Sequence, residues 1–224
     1  MTSTNTTRFS KWRKPIIRII QNPTKIPKEV RKLVGWDEEA ASYAAKDIKE
    51  AYNDLSGNCV LLMKPQIPSP NLFWLCYYSD SPLLSTNDYV LRMTGTDQEY
   101  PKILTLFINS IPGILQIFAL RPEIRGAWSR LDKESVWKHL YVPNPELIEN
   151  IKRRKLIAAF DEFSNKENGN LQHRLSDPDS FQTSMDQLIL ESFRFEELSK
   201  ELQKVHHLLG AELQNLLDVM TFTK

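Results

Sequence analysis

The hydrophobic residues of this chain change period part-way along it, and that change limits the available folds more than any other feature. Between residues 59 and 93 the apolar residues fall into short runs, Cys59 to Met63, Leu72 to Tyr78 and Tyr89 to Met93, punctuated by Pro65, Pro68, Pro70, Pro82 and Gly95. Runs of that length between turn residues are the pattern of short strands in a small antiparallel sheet. After Thr96 and Asp97 the spacing becomes helical. Tyr100, Ile103, Leu104, Phe107, Ile108 and Ile111 form one broad apolar face, with Pro101 where a first turn tolerates it. Pro112 and Gly113 are expected to break or kink that helix before it continues from Ile114 to Leu120.

From Asp132 a short helix (Lys133 to Leu140) then leads into the extended Tyr141-Val142-Pro143 segment. Beyond Asn144 the chain reads as wholly helical: 145–163, a polar break over 164–170, then 179–193 and 195–220. The last stretch carries Leu198, Leu202, Val205, Leu208, Leu209, Leu213, Leu216 and Leu217, too few heptads to require a coiled coil, so bundle packing is expected. Upstream, Glu38 to Lys49 has high helix propensity behind a capping Asp37, and the helix should end near Ser56 and Gly57. The expected fold class is α+β, a small antiparallel β-rich domain (37–143) followed by a helical C-terminal region (144–224), after an N-terminal arm (1–36).

Charge is distributed unevenly. Residues 1–36 hold nine lysines and arginines against the single acid Glu29, a balance of +8 in a chain whose formal net charge is only +1. A basic arm on a mildly acidic body suits contact with a polyanion; a solvated leader is the equal alternative. No run reaches the roughly 18 uninterrupted apolar residues of a spanning helix, since Asn109, Ser110, Pro112 and Gln116 interrupt Ile103 to Leu120. No membrane association is expected. No secretory signal is visible, and Cys59 and Cys76 sit in strand-like apolar runs as free thiols would in a reducing compartment, so a cytoplasmic location is expected.

Most catalytic chemistries find no support. His139, His173, His206 and His207 match no zinc spacing, and the adjacent pair His206-His207 diverges by about 100° on a helix, which reads as solvated. There is no Gly-x-Ser-x-Gly elbow, and the seven glycines are isolated, so no phosphate or methyl-donor loop is present. Asp47-Ile48-Lys49 is the nearest nuclease fragment, but on a helix its carboxylate and lysine would diverge. The segment from Arg121 to Val142 is different. Arg121, Arg125, Arg130, Lys133 and Lys138 lie close together with Trp128 and Ser129 between them, which suits a loop probing phosphates and base edges. A solvent-exposed loop neutralised by Glu123, Asp132 and Glu134 is the competing reading.

Four further pieces, in order, resemble the C-terminal target-recognition region of N-6 adenine-specific DNA methyltransferases, including fused restriction-modification enzymes. They are Ser69-Pro70-Asn71-Leu72-Phe73 with Tyr77-Tyr78-Ser79-Asp80-Ser81-Pro82, like a pair of strands ending in a serine-acid-x-proline turn; Ile103 to Ser110 with Gly113; Arg121 to Leu131, with Gly126-Ala127-Trp128; and Lys133 to Val142-Pro143-Asn144. Downstream, Lys155 to Phe163 and Met185 to Leu190 are similar to the family's helical tail.

The resemblance implies double-stranded DNA as a partner, with Arg121, Arg125, Trp128, Ser129, Arg130, Lys133 and Lys138 at the DNA and Asn109, Ser110 and Gly126 supporting the loop. It also implies S-adenosylmethionine, but held elsewhere. The family's glycine loop and Asn/Asp-Pro-Pro-Tyr/Phe motif are both missing here, and neither Asn22-Pro23-Thr24 nor Asn144-Pro145-Glu146 replaces them. No cofactor is expected in this chain, and methyl transfer would fall to a catalytic domain or subunit. A helical protein-interaction module using the Leu198 to Leu217 stripe is the alternative from another class, with a nuclease as a third.

Overall fold

The computed structural model describes residues 56–63, 65, 69, 72–83, 85, 88–92, 97, 99–120, 131–166, 169–177 and 180–222. The basic arm 1–36 and the helix expected from Glu38 lie outside them. Within them the fold is α+β: a three-stranded antiparallel sheet and a helical remainder that includes the whole C-terminal region.

The sheet has the order β2-β1-β3, with β1 (Gly57–Leu61) in the centre, β2 (Cys76–Leu83) on one side and β3 (Tyr89–Leu91) on the other. Cys59, Val60 and Leu61 face Leu91, Val90 and Tyr89 in register. Gly57 is required by this pairing, because a Cβ there would lie 2.5 Å from the Leu91 carbonyl oxygen.

β2 starts four residues later than its apolar run and continues through the expected turn. Leu72 accepts a backbone hydrogen bond from Leu171, and the Leu75 and Cys76 amides donate to the Asn109 side chain, so tertiary partners occupy the first part of the run. At the other end the register jumps from Cys59↔Tyr78 to Gly57↔Leu83, which puts Ser79 to Pro82 in a bulge. Proline is tolerated there because β2 is an edge strand.

Helix α1 (Tyr100–Asn109) has Pro101 in its first turn and buries nearly every residue. It meets α2 (Ile111–Leu120) at 67°. The bend falls at Ser110, whose backbone is extended (φ −90°, ψ 167°), and not at Pro112-Gly113 as the local sequence suggests. Pro112 instead occupies the first turn of α2, where its missing N–H costs nothing. Gly113 makes the corner possible: a Cβ would sit 2.4 Å from Ile108 Cα and from the Phe107 carbonyl oxygen.

The remaining helices are α3 (Lys133–His139), α4 (Asn150–Phe163), α5 (Leu171–Ser176), α6 (Phe181–Phe193), α7 (Glu196–Lys200) and α8 (Leu202–Phe222), with a 3₁₀ turn at Pro145–Leu147. Asp132 caps α3 by accepting from the Ser135 amide at 3.1 Å. The sequence pattern missed α5, and a turn at Glu201 divides the long C-terminal helix expected over 195–220. α6 ends on Arg194 in the left-handed region (φ 60°), with the Phe195 amide returning to the Leu190 carbonyl at 2.9 Å.

One hydrophobic cluster joins both halves. Leu61 and Cys76 of the sheet, Ile103 and Ile108 of α1, Phe160 of α4, Met185 and Ile189 of α6 and Leu213 of α8 all belong to it. Edge-on ring contacts, Tyr78 with Phe160 at 5.2 Å and Phe107 with Phe193 at 5.8 Å, lock the sheet and α1 to the C-terminal helices. No single described helix is long and apolar enough to cross a membrane; the bent pair α1 and α2 passes by length and composition together.

Candidate functional site

The described residues frame the basic segment but do not include its centre. Arg121, Arg125, Gly126, Trp128, Ser129 and Arg130 lie outside them, as does the Lys133 side chain, whose backbone opens α3. Lys138 is exposed on α3 and pairs with Glu134 one turn earlier, a contact worth only a few tenths of a kcal/mol. Both ends of the 121–130 span are fixed to rigid structure. Leu120 closes α2. Leu131 is fully buried, donates its amide to the Met63 carbonyl at 2.8 Å and accepts from the Tyr89 hydroxyl at 2.7 Å.

Asn109 and Ser110 are buried at the α1–α2 corner. The Asn109 carboxamide oxygen accepts from the Leu75 and Cys76 amides at 2.8 and 3.1 Å, while its nitrogen donates to the Cys76 and Thr105 carbonyls at 2.7 and 2.9 Å. All four bonds are to backbone, so this one side chain joins the corner to the start of β2. The Ser110 hydroxyl donates to the Phe107 carbonyl at 2.6 Å.

Behind that corner lies a buried polar group that the sequence did not reveal. Gln182 and Asp186, one turn apart on α6, satisfy two of the backbone groups that the bend leaves open. The Gln182 amide donates to the Asn109 carbonyl at 3.0 Å, and the Ile111 amide at the head of α2 donates to Asp186 Oδ1 at 2.7 Å. A carboxylate at a helix N-terminus meets both the open N–H groups and the positive end of the helix dipole. On its other side Asp186 Oδ2 meets His206 Nε2 of α8 at 2.7 Å, and Gln182 donates to both carboxylate oxygens at 3.1 Å. Burial pushes the Asp186 carboxyl above its ordinary range, opposed by His206, the Ile111 amide and Gln182.

Arg174 of α5 extends the group. Its Nε donates to Gln182 Oε1 at 3.1 Å, one terminal nitrogen donates to the Gly169 carbonyl at 2.8 Å, and the guanidinium stacks 3.7 Å from the Trp74 ring centroid. Complete burial pulls this arginine down to about 9, with Asp186 pulling the other way.

His206 therefore differs from the expectation of a solvated residue. It is 5% exposed, whereas His207 beside it is exposed. The signal was present in the helical spacing: Leu202, His206, Leu209 and Leu213 share one stripe, and the other three are buried. His206 also lines a cleft of about 720 Å³ between α5, α6 and α8. A second, apolar groove of about 530 Å³ lies between Phe107, Leu115, Tyr141, Val142 and Phe195. Among the described residues no group of three or more histidine, cysteine or acidic side chains could hold a metal ion.

No protein-family model matches the chain, and searches of curated proteins and of solved structures find no match either.

Proposed function

We propose that this chain is the DNA sequence-reading part of an adenine-N6 DNA methyltransferase or restriction-modification system, and that a separate catalytic domain or subunit binds S-adenosylmethionine and transfers the methyl group. The reading is supported by the ordered resemblance between Ser69 and Asn144 and its continuation downstream. The observation that carries it is the mounting of the basic span. Ten residues with Arg121, Arg125 and Arg130 lie between Leu120, at the half-buried end of α2, and Leu131, which two hydrogen bonds fasten to Met63 and Tyr89. A cationic segment held at both ends by a packed core loses less entropy on binding than a free tail of equal charge.

Arginine suits the task because its planar fork meets phosphates and guanine edges with paired hydrogen bonds. The test is duplex binding by the double variant R125A/R130A, followed by fluorescence anisotropy over a range of salt. Each lost phosphate contact lowers the slope of log K against log salt by about 0.9, so two arginines lower it by up to about 2. Unchanged affinity in a variant that folds normally removes the span from the proposal.

The second reading, a protein-interaction module with no nucleic-acid role, draws on exposed apolar side chains. Tyr141 is 75% and Leu147 80% exposed, and Trp137 and Ile151 are open as well. The α8 leucines give it less support, because Leu202, Leu209 and Leu213 pack inward and Leu208 alone is strongly exposed among the described leucines of that helix. Absence of duplex affinity at low salt selects this second reading.

A further inference from the structure

The cleft beside His206 has a chemistry of its own, independent of the basic span. Asp186, fully buried on α6, takes Nε2 of the imidazole and fixes the ring. Three side-chain or backbone donors converge on that carboxylate, from Ile111, Gln182 and His206, as an ionised acceptor requires. In the neutral ring with Nε2 as the donor, Nδ1 carries a lone pair. It has no hydrogen-bond partner among the described residues and is not sealed off from the cleft. A carboxylate behind an imidazole sets its tautomer and orientation, which makes the remaining nitrogen a directed acceptor.

The rest of the lining narrows the ligand. The Ser176 hydroxyl and the Gln203 amide border the same cleft, have no hydrogen-bond partner among the described residues, and can each donate to a carbonyl. Gly210 and Ala211 of α8 keep that wall low. No carboxylate, lysine or arginine lines the space, so it offers no fixed counter-ion, and its only rings are the imidazoles of His206 and His207. Its volume of about 720 Å³ lies in the usual range for small-molecule sites.

We propose that this cleft binds an uncharged small molecule through an amide edge, an N–H beside a carbonyl, with the N–H donating to His206 Nδ1 and the carbonyl accepting from Ser176 or Gln203. Lactams and pyrimidine bases present that edge. The probes are uracil, which has the edge, and 1,3-dimethyluracil, which keeps the ring and carbonyls but has no N–H. Binding to the full chain is followed by NMR through the ring nitrogens of His206. Uracil is expected to move the Nδ1 resonance in a saturable way, and 1,3-dimethyluracil to bind at least about tenfold more weakly, the value of one hydrogen bond of about 1.4 kcal/mol.

His206→Ala removes the acceptor but also strips Asp186 of its partner, so the deciding variant is Ala211→Trp. It fills the cleft from an exposed position and leaves the Asp186–His206 bond untouched. Loss of uracil binding in folded A211W supports the proposal. Equal binding of the two probes, binding retained in A211W, or no movement of Nδ1 up to the solubility limit of uracil overturns it.

Discussion

Replacing Asp186 by alanine tests the polar corner directly. The substitution removes the acceptor for the Ile111 amide at 2.7 Å, for His206 Nε2 at 2.7 Å and for the Gln182 amide at 3.1 Å, all within a fully buried site. Each buried donor left without a partner costs about 1–3 kcal/mol, more towards the upper end where the lost acceptor is a carboxylate. Gln182 keeps its bonds to Asn109 and Arg174, so the two losses that count are those of Ile111 and His206. The expected destabilisation is about 4 kcal/mol by urea unfolding at pH 7.

Asp186→Asn separates the two losses. Its carboxamide oxygen still caps α2, while its NH₂ faces a ring nitrogen that must change tautomer, so a smaller cost of about 1–2 kcal/mol is expected. A double-mutant cycle with His206→Ala should return a coupling of about 1–3 kcal/mol. A D186A variant within about 1 kcal/mol of the parent, or a cycle with no coupling, refutes the claim that this carboxylate holds the corner and α8 together.

Three further outcomes follow from named contacts. Gly113→Ala should cost about 3 kcal/mol or prevent folding, because the new Cβ meets backbone of α1 at 2.4 Å; a Tm close to the parent's would show that the corner can open without penalty. Arg194→Gly should stabilise by about 1 kcal/mol, since an exposed non-glycine residue holds φ 60° there and its 3.5 Å contact with Glu149 is solvent-screened; a lower urea midpoint contradicts this. Hydrogen bonding from Arg153 holds Asp97 below the usual carboxylate range. Its folded value is depressed, so the pair's stabilisation is complete above the unfolded value of about 3.9 and disappears as pH falls through the folded one. The stability gap between the parent and Arg153→Gln should therefore close only in acid below about pH 4, and closure between pH 5 and 8 would show another group at work.

Local rules read this sequence well wherever local physics decides. Pro101 and the apolar face of Tyr100 to Ile111 placed α1, and the short stretch after Asp132 placed α3, because each signal acts within one or two helical turns. Where a distant partner decides, the reading slipped. β2 is displaced because Asn109, more than 30 residues away, claims the Leu75 and Cys76 amides. The bend sits at Ser110 because Asp186 caps α2 from across the fold, a contact 75 residues apart in sequence. α5 escaped notice with only Leu171 and Leu175 apolar in a polar stretch, although the Asn170 side chain caps it by accepting from the His173 amide at 2.8 Å. The candidate cleft was partly legible, since His206 sits on the buried stripe of α8, but its carboxylate partner lies on another helix and no spacing rule connects them.

The proposed function requires duplex DNA to be held through the span between Leu120 and Leu131. The most direct measurement is the affinity of the purified chain for a duplex between 50 and 200 mM salt. Three arginines engaging phosphates predict a linear fall of log K against log salt with a slope of about −2.7, and contributions from the basic arm would steepen it. No binding at 50 mM salt, or an affinity indifferent to salt, contradicts it.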